Sequence, residues 1–378
     1  MNSLIKTLPN VKKFNDYIFD VKKGVNPIML SGLTDIGKVH LSYATRFFSE
    51  KPICIITFNE LQAKKIIKDL KFFGEKLDFF PKREIITFDY VAESKDALFD
   101  RIEVLNNIQN GKSKIIVTTI EAAMQKMITK ESLYKYKIDL KTGDTVKLND
   151  LKEKLVKLGY ERYDLIEGKG QFSVRGGIVD IATSADSGVR IEFWGDEIDS
   201  IRKFSIMSQR TTEMLEKTEI FPAYEFLLEN SLDDISQKIE DKNYTNSIFD
   251  KVQKDIEEIK NGDYVTKIDR YFDCFYEETN TLIDYLGNDF IIFLDEIEKI
   301  KNRADSISKD NENAIKDLID RKKVTPQSFI KLQDYLDFLE KIKNKQTIYL
   351  EKQDIGFVDK QSMHAKRNGY SFSYREVN

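Results

Sequence analysis

A run of residues near the amino terminus has the composition of a phosphate-binding loop. Gly32-Leu-Thr-Asp-Ile-Gly37-Lys38-Val39 fits the pattern G-x-x-x-x-G-K, directly after one predicted strand and at the start of a predicted helix. Glycines let backbone N–H groups approach an anion, the helix start adds its dipole, and the lysine can reach the outer phosphates. The segment therefore predicts a nucleotide-binding fold.

The residue after the lysine argues against a working site. A hydroxyl side chain is needed there to bind Mg²⁺, and Val39 carries only a branched alkyl group. Asp295 and Glu296 follow an apolar strand and have the form of the acidic strand end that positions Mg²⁺, although acidic residues are also favoured at a helix start. We therefore predict no catalysis, no metal and no cofactor in this chain, with weak, Mg²⁺-poor nucleotide binding as the alternative. The predicted degenerate nucleotide site consists of Gly32, Gly37, Lys38, Val39, Asp295 and Glu296.

The elements around this loop alternate between two types. Apolar, β-rich runs at residues 28–30, 53–58, 84–88 and 114–119 alternate with helix-forming stretches at 39–49, 59–72 and 95–109. Further strands are predicted at 289–296 and 346–350, with a charged helix at 295–323. This alternation is typical of a parallel sheet with crossover helices. The sequence predicts an α/β domain of the degenerate RecA or P-loop type.

The middle of the chain has a different pattern. Short strands at 144–146, 163–166, 171–174, 177–182 and 189–194 surround one helix at 148–159, and helices follow at 229–261 and 275–286. A parallel-sheet strand that returns after such a module suggests an insertion. We predict the first part of the α/β domain at 1–124, a small inserted α+β module at 125–215, and the second part of the domain at 216–350. Residues 351–378 would begin a connection to further domains.

Composition excludes several classes of protein. The 378 residues suggest two or three domains, and the 41% of hydrophobic residues can fill their cores. The 60 basic and 64 acidic residues leave a net charge of -4, without the basic surplus of a nucleic-acid sleeve. Two cysteines and two histidines allow neither a disulfide framework nor a zinc quartet. The apolar runs are too short to span a membrane, and the start lacks a secretion signal, so we expect a cytoplasmic protein.

Two long motifs carry a family resemblance. The first is Gly170-Gln-Phe-Ser-Val-Arg175-Gly-Gly-Ile-Val-Asp180-Ile, and the second is Val189-Arg190-Ile-Glu-Phe-Trp194 with the residues that follow it to Arg210. They resemble the module shared by the excision-repair protein UvrB and the bacterial transcription-repair coupling factors (Mfd), and similar segments extend over most of the chain. Val39 and the absence of an aromatic-rich, DNA-clamping hairpin after Phe88-Asp-Tyr favour the coupling factors, specifically their N-terminal UvrB-like region.

The resemblance implies a function in transcription-coupled nucleotide excision repair. In that family the module recruits UvrA to a stalled RNA polymerase, and the whole protein is an ATP-dependent double-stranded-DNA translocase. ATP, Mg²⁺, RNA polymerase and DNA would then be bound by domains beyond this chain, which we expect to be a monomeric fragment. The implied UvrA contacts fall on Arg175, Arg190 and Trp194, with Arg202 and Arg210 as weaker candidates.

The residues themselves leave alternatives open. We expect Arg175 and Arg190 on neighbouring strands, and the spacing of four places Arg190 and Trp194 on the same face of one strand. Alternatively, Arg190 pairs with Glu192 or Asp196, and Trp194 covers a small core. For the whole chain, the alternative function is a UvrB-like protein with functional ATP binding and damaged-DNA binding.

Overall fold

The computed structural model describes residues 5–83, 95–225, 227–228, 230–242, 249–262, 267–268, 270–320, 333–352 and 368–372. The strand predicted at 84–88 and the Phe88-Asp-Tyr segment lie outside these residues, as does most of the predicted connection at 351–378. No helix in the described ranges is long and apolar enough to cross a membrane.

The strands are numbered in chain order. They are β1 Ile28–Ser31, β2 Ile53–Thr57, β3 Asp78–Phe80, β4 Ile115–Thr119, β5 Ile138–Lys141, β6 Glu161–Arg162, β7 Gln171–Arg175, β8 Ile178–Ala182, β9 Ser187–Trp194, β10 Glu197–Ser205, β11 Thr211–Leu215, β12 Lys217–Ile220, β13 Ile291–Asp295, β14 Gln346–Leu350 and β15 Asn368–Ser371.

The α-helices are numbered in the same way. They are α1 Lys12–Lys22, α2 Asp35–Ser49, α3 Glu60–Leu70, α4 Lys95–Gln109, α5 Ile120–Ala123, α6 Lys130–Lys135, α7 Leu148–Lys157, α8 Leu232–Glu240, α9 Phe249–Lys260, α10 Phe272–Phe275, α11 Leu282–Tyr285, α12 Ile297–Asp320 and α13 Tyr335–Lys343.

The largest sheet is parallel throughout and has the order β15-β1-β14-β13-β2-β4-β3. Strands β1, β13, β2 and β4 are buried along their whole length, as expected for strands covered by helices on both faces. The chain leaves this sheet after β4 and returns to its middle with β13. The predicted α/β class is confirmed.

Successive residues of these strands face two different cores. Ile53 and Ile55 pack into the core that also holds the apolar residues of α1 to α3. Cys54 and Ile56 face the opposite core, which α4, α12 and α13 cover. This second core is continuous with one face of the six-stranded sheet, where Val179 and Ile191 are fully buried. The side chains of each strand therefore alternate between two cores. The second of these cores extends from the large sheet to the six-stranded sheet.

The second sheet is largely antiparallel, with the order β11-β10-β9-β8-β7-β6. Only the short pair of β6 with β7 is parallel in it, and β5 pairs separately with β12. The register aligns Asp180 of β8 with Arg190 of β9, and Arg190 with Arg202 of β10. Since Val179 and Ile191 lie on the covered face, these three polar residues lie on the opposite face, which we call the open face.

Four predicted elements are wrong in detail. The helix expected at 229–261 is divided, because α8 ends at Glu240 and α9 spans Phe249–Lys260. Residues 144–146 form only an isolated bridge, from Thr145 to Glu197. Residues 163–166 form no strand, because the strand in this region, β6, spans Glu161–Arg162. The helix expected at 275–286 is two single turns, α10 and α11. Between them, the backbone of Asn280 pairs with that of Met127, and Thr281 begins α11 with a capping box. A tertiary backbone contact therefore interrupts a helix that the local sequence favours.

Candidate functional site

The first glycine of the predicted phosphate loop has a structural reason that involves no ligand. Gly32 follows β1 with a φ of +74°, which favours glycine. A Cβ at this position would lie 2.4 Å from the carbonyl oxygen of Phe372, just after β15. The N–H of Phe372 donates to the carbonyl of Ser31 at 2.9 Å, so β15 lies close against the start of the loop. Gly32 is therefore required by the approach of β15.

The backbone amides of the loop are used within the chain. α2 begins at Asp35, four residues earlier than predicted, because the Thr34 hydroxyl caps it by accepting from the N–H of Gly37 at 3.1 Å. The N–H of Lys38 donates to the carbonyl of Thr34 at 2.9 Å, and the N–H of Leu33 donates to the carbonyl of Glu351 at 3.2 Å. A phosphate would have to compete with these bonds for three of the loop's donors.

The structure brings Lys38 and the acidic strand end together, as the sequence predicts. Lys38 is 3% exposed, and its Nζ donates to Asp295 at 2.8 Å and to the carboxylate of Glu296. The other oxygen of Asp295 accepts from Thr57 at 2.9 Å and from Gln62 at 3.3 Å. The ammonium group thus contacts both carboxylates and neutralises part of their charge.

Little space remains around Lys38. Val39 is 4% exposed and packs into the core of α1 to α3. Its alkyl side chain has no oxygen that could bind a metal. The adjoining cavity has a volume of about 10 Å³, room for about one water molecule. Asp35, Lys38, Gln62 and Asp295 are among its lining residues. No group of ligands suited to a metal ion occurs among the residues placed by the structure.

A buried carboxyl that the sequence analysis missed completes this region. Glu351 follows β14, is 1% exposed, and accepts from the N–H of Ile297 at 3.0 Å. Burial raises its pKa to about 7, and the nearby Glu296 and Asp295 add to the shift. Near the helix start, burial of Asp35 is outweighed by its ion pairs with Lys352 and Lys65, which lower the pKa of Asp35 to about 2.

Arginines form a cluster on the open face of the six-stranded sheet. The prediction that Arg175 and Arg190 lie on neighbouring strands is wrong: Arg175 is on β7 and Arg190 is on β9. Strand β8 lies between them and supplies Asp180 to both. Arg175 Nη2 donates to Asp180 at 2.7 Å, while Arg190 donates through Nε at 2.6 Å and through Nη2 at 2.9 Å. These bonds raise the pKa of Arg190. The alternative in which Arg190 pairs with Glu192 or Asp196 is therefore wrong, since its hydrogen-bonded partner is Asp180.

A second ion pair lies beside the first. Arg202 Nη2 donates to Glu192 at 2.7 Å, and the hydroxyl of Ser200 donates to the same oxygen at 3.0 Å. Glu192 is the residue between Arg190 and Trp194 on the same face of β9. Arg175, Arg202 and Arg190 together place three positive charges against the two negative charges of Asp180 and Glu192.

Trp194 does not cover a core. It lies at the end of β9, opposite Glu197, and is 84% exposed. Met214 of β11, aligned with Arg202, is also exposed. Arg210 lies beyond the other end of β10, so the structure does not bring it to the cluster formed by Arg175, Arg190 and Arg202. The arginine cluster and an exposed tryptophan thus share one sheet face.

The sequence contains a signal that Asp180 is buried and paired with a cation. A carboxylate in the middle of the apolar run Gly177-Ile-Val-Asp180-Ile-Ala must be buried on a strand, and a buried carboxylate needs a cationic partner. The sequence does not show which arginine supplies that partner, because residues 175 and 190 come from different strands.

This open face lies within a recognisable type of domain. Residues 138–226, which include β5 to β12, match the family model described as the UvrB interaction domain.

Whole-chain comparisons extend the similarity. The chain is 28% identical over 327 residues to the transcription-repair-coupling factors of Bacillus subtilis (strain 168) and Staphylococcus aureus (strain bovine RF122 / ET3-1). The match covers 82% of this chain and 28% of each relative. The resemblance predicted from the sequence is confirmed, and the chain spans about a quarter of the length of the curated relatives that it matches.

Proposed function

We propose that this chain acts in transcription-coupled nucleotide excision repair by recruiting UvrA through the open face of its six-stranded sheet. The observation that carries this proposal is the position of the arginine cluster and of Trp194, which lie together inside the matched residues 138–226. The names of the relatives support the coupling of transcription to repair.

The open face has the features of a protein-binding surface. Arginine and tryptophan are among the residues that contribute most to binding energy at interfaces. Trp194 presents a large aromatic surface to solvent, and Arg175 keeps half of its side chain exposed although it is bonded to Asp180. Because each guanidinium has five N–H donors, the bonds to Asp180 and Glu192 leave others for a partner's acceptors.

We further propose that the nucleotide-site region is structural in this chain. The supporting observations are the pairing of Lys38 with two carboxylates, the burial of Val39 and the internal bonds of the loop amides. In this proposal residues 1–124 and 216–350 form one degenerate RecA-like domain, residues 125–215 are the inserted UvrA-binding module, and residues 351–378 begin the connection to further domains. ATP, Mg²⁺, RNA polymerase and DNA are then bound by parts of the relatives that this chain does not match.

Titration of UvrA tests the recruitment function. Arg175→Ala or Arg190→Glu should weaken binding to purified UvrA more than about tenfold, equivalent to about 1.4 kcal/mol. Lys203→Ala is the matched control, since it removes an exposed cation from the opposite face of β10. Unchanged affinity in both arginine variants would refute the proposed surface.

Two further assays test the alternative function. With Mg²⁺ and ATP, we expect no turnover above that of the Lys38→Ala variant, because the native ammonium is already held by Asp295 and Glu296. With short DNA duplexes, we expect no salt-dependent retardation in a gel, since the net charge is -4. Lys38-dependent turnover, or retardation by undamaged or damaged duplexes, would favour a nucleotide-dependent DNA-binding protein instead.

A further inference from the structure

The carboxylate of Asp180 lies beneath the arginine cluster and is out of a partner's reach. Asp180 is 1% exposed and comes from β8, the strand between those that carry Arg175 and Arg190. Its Oδ1 accepts from Arg190 Nε, and its Oδ2 accepts from both Arg190 Nη2 and Arg175 Nη2. One carboxylate therefore makes three charge-assisted hydrogen bonds to two guanidinium groups.

These bonds fix the direction of side chains that are otherwise long and flexible. The two donors of Arg190 form a fork on both oxygens of Asp180, which defines the plane of its guanidinium group. The central carbon of that group also lies over the ring of Phe204, 4.9 Å from the ring centre. Arg190 is therefore held from two sides, whereas Arg175 is held by Asp180 through one nitrogen.

A glycine makes this arrangement possible. A Cβ at Gly188, on the strand of Arg190, would lie 2.7 Å from the ring of Phe204 and 2.5 Å from the carbonyl oxygen of Ile181. The ring can therefore lie this close to β9, beside Arg190, only because position 188 has no side chain. Without Asp180 the positive charges of Arg175 and Arg190 would lie near each other without the counter-charge that they share.

We propose that Asp180 is a positioning residue for UvrA binding: it holds the guanidinium groups of Arg175 and Arg190 in the orientation that the partner contacts, without touching the partner itself. This inference rests on the proposed function. It assigns to a buried acidic residue an effect on affinity that is transmitted entirely through two basic ones.

A double-mutant cycle with purified UvrA tests the transmission. The four proteins are the wild type, Asp180→Asn, Arg175→Ala with Arg190→Ala, and the variant with all three substitutions. We expect Asp180→Asn alone to weaken binding at least about tenfold and to change it less than about twofold when both arginines are already absent, since coupled residues are non-additive. Glu213→Gln is the matched control, because it removes a charge from the opposite face of β11.

Each other outcome overturns the inference in a distinguishable way. An Asp180→Asn variant with wild-type affinity, beside a weakened arginine variant, would refute positioning and leave the proposed function intact. An equal loss in both backgrounds would show that Asp180 acts independently of the arginines. Full affinity in the arginine variant would refute the proposed function and this inference together.

Circular dichroism checks that the variants are folded. If Asp180→Asn unfolds, the same cycle is run with Asp180→Glu, which keeps the buried charge and moves the carboxylate by one methylene group. We then expect binding at least about threefold weaker in the wild-type background and unchanged affinity without the arginines. Equal effects in the two backgrounds, or none in either, would refute positioning.

Discussion

Replacing Glu225 with glutamine should destabilise the protein strongly, because Glu225 is the counter-charge of two buried arginines. Arg101 is fully buried, and its Nε and Nη2 donate to the two oxygens of Glu225 at 2.9 and 3.2 Å. Arg83 is 2% exposed, with its Nε 3.7 Å from the same carboxylate. Burial lowers the pKa of Arg101, and Glu225 opposes that shift.

The magnitude follows from the charges that remain. Two unit charges about 4 Å apart interact by about 4 kcal/mol at an effective dielectric constant of about 20. Removal of one partner from a buried ion pair typically costs about 3–5 kcal/mol, since the other charge stays buried. Arg101 would keep the carbonyl of Pro81 at 2.9 Å and the amide oxygen of Gln125 at 3.1 Å, which are neutral acceptors. We therefore expect Glu225→Gln to lower the free energy of unfolding by about 3–5 kcal/mol.

Urea-induced unfolding followed by far-ultraviolet circular dichroism measures this loss. Tryptophan fluorescence is a poor reporter, because Trp194 is already 84% exposed in the folded state. Glu340→Gln is the control, since the pair of Glu340 with Lys343 is exposed and should contribute less than about 1 kcal/mol. If the two variants unfold within about 1 kcal/mol of each other, the argument from buried charge is refuted.

Two other predictions concern the region around Lys38, where the sequence predicts a degenerate nucleotide site. Gly32→Ala should lower the free energy of unfolding by at least about 2 kcal/mol, against about 1 kcal/mol for Gly24→Ala. Both glycines have a φ of +74°, but only at Gly32 would the added Cβ meet a backbone atom, the oxygen of Phe372; equal losses on urea unfolding would contradict the close approach of β15. Glu351→Gln should remove a pH dependence of stability: with its pKa raised from 4.5 to about 7, native Glu351 keeps a proton that the unfolded chain loses. Stability should therefore fall as pH rises between these two values, and unfolding curves with the same slope in the wild type and the Gln variant would contradict the raised pKa.

Local sequence predicted those parts of the site that depend on neighbouring residues. The motif around Lys38 lies between strand β1 and helix α2, as its local pattern predicts. The face of Arg190 and Trp194 likewise follows from the two-residue period of one strand. In each case a short-range pattern is sufficient.

The errors arose where distant segments meet. The sequence does not show that β8 lies between β7 and β9, so it does not identify Asp180 as the partner of Arg190. The sequence likewise does not show the contact of Gly32 with Phe372, because the backbone that approaches Gly32 follows a strand more than three hundred residues away.

The sequence by itself therefore determined the class of fold, the family resemblance and the loss of a metal-binding hydroxyl at Val39. All of these reside in residue types and their local spacing. Only the tertiary structure decided that Lys38 is held by two carboxylates and that Gly32 accommodates Phe372. It also decided that one buried aspartate orients two arginines on the open face. Hydrogen bonds and ion pairs of this kind depend on strand order and register, which form only when segments far apart in the chain pack together.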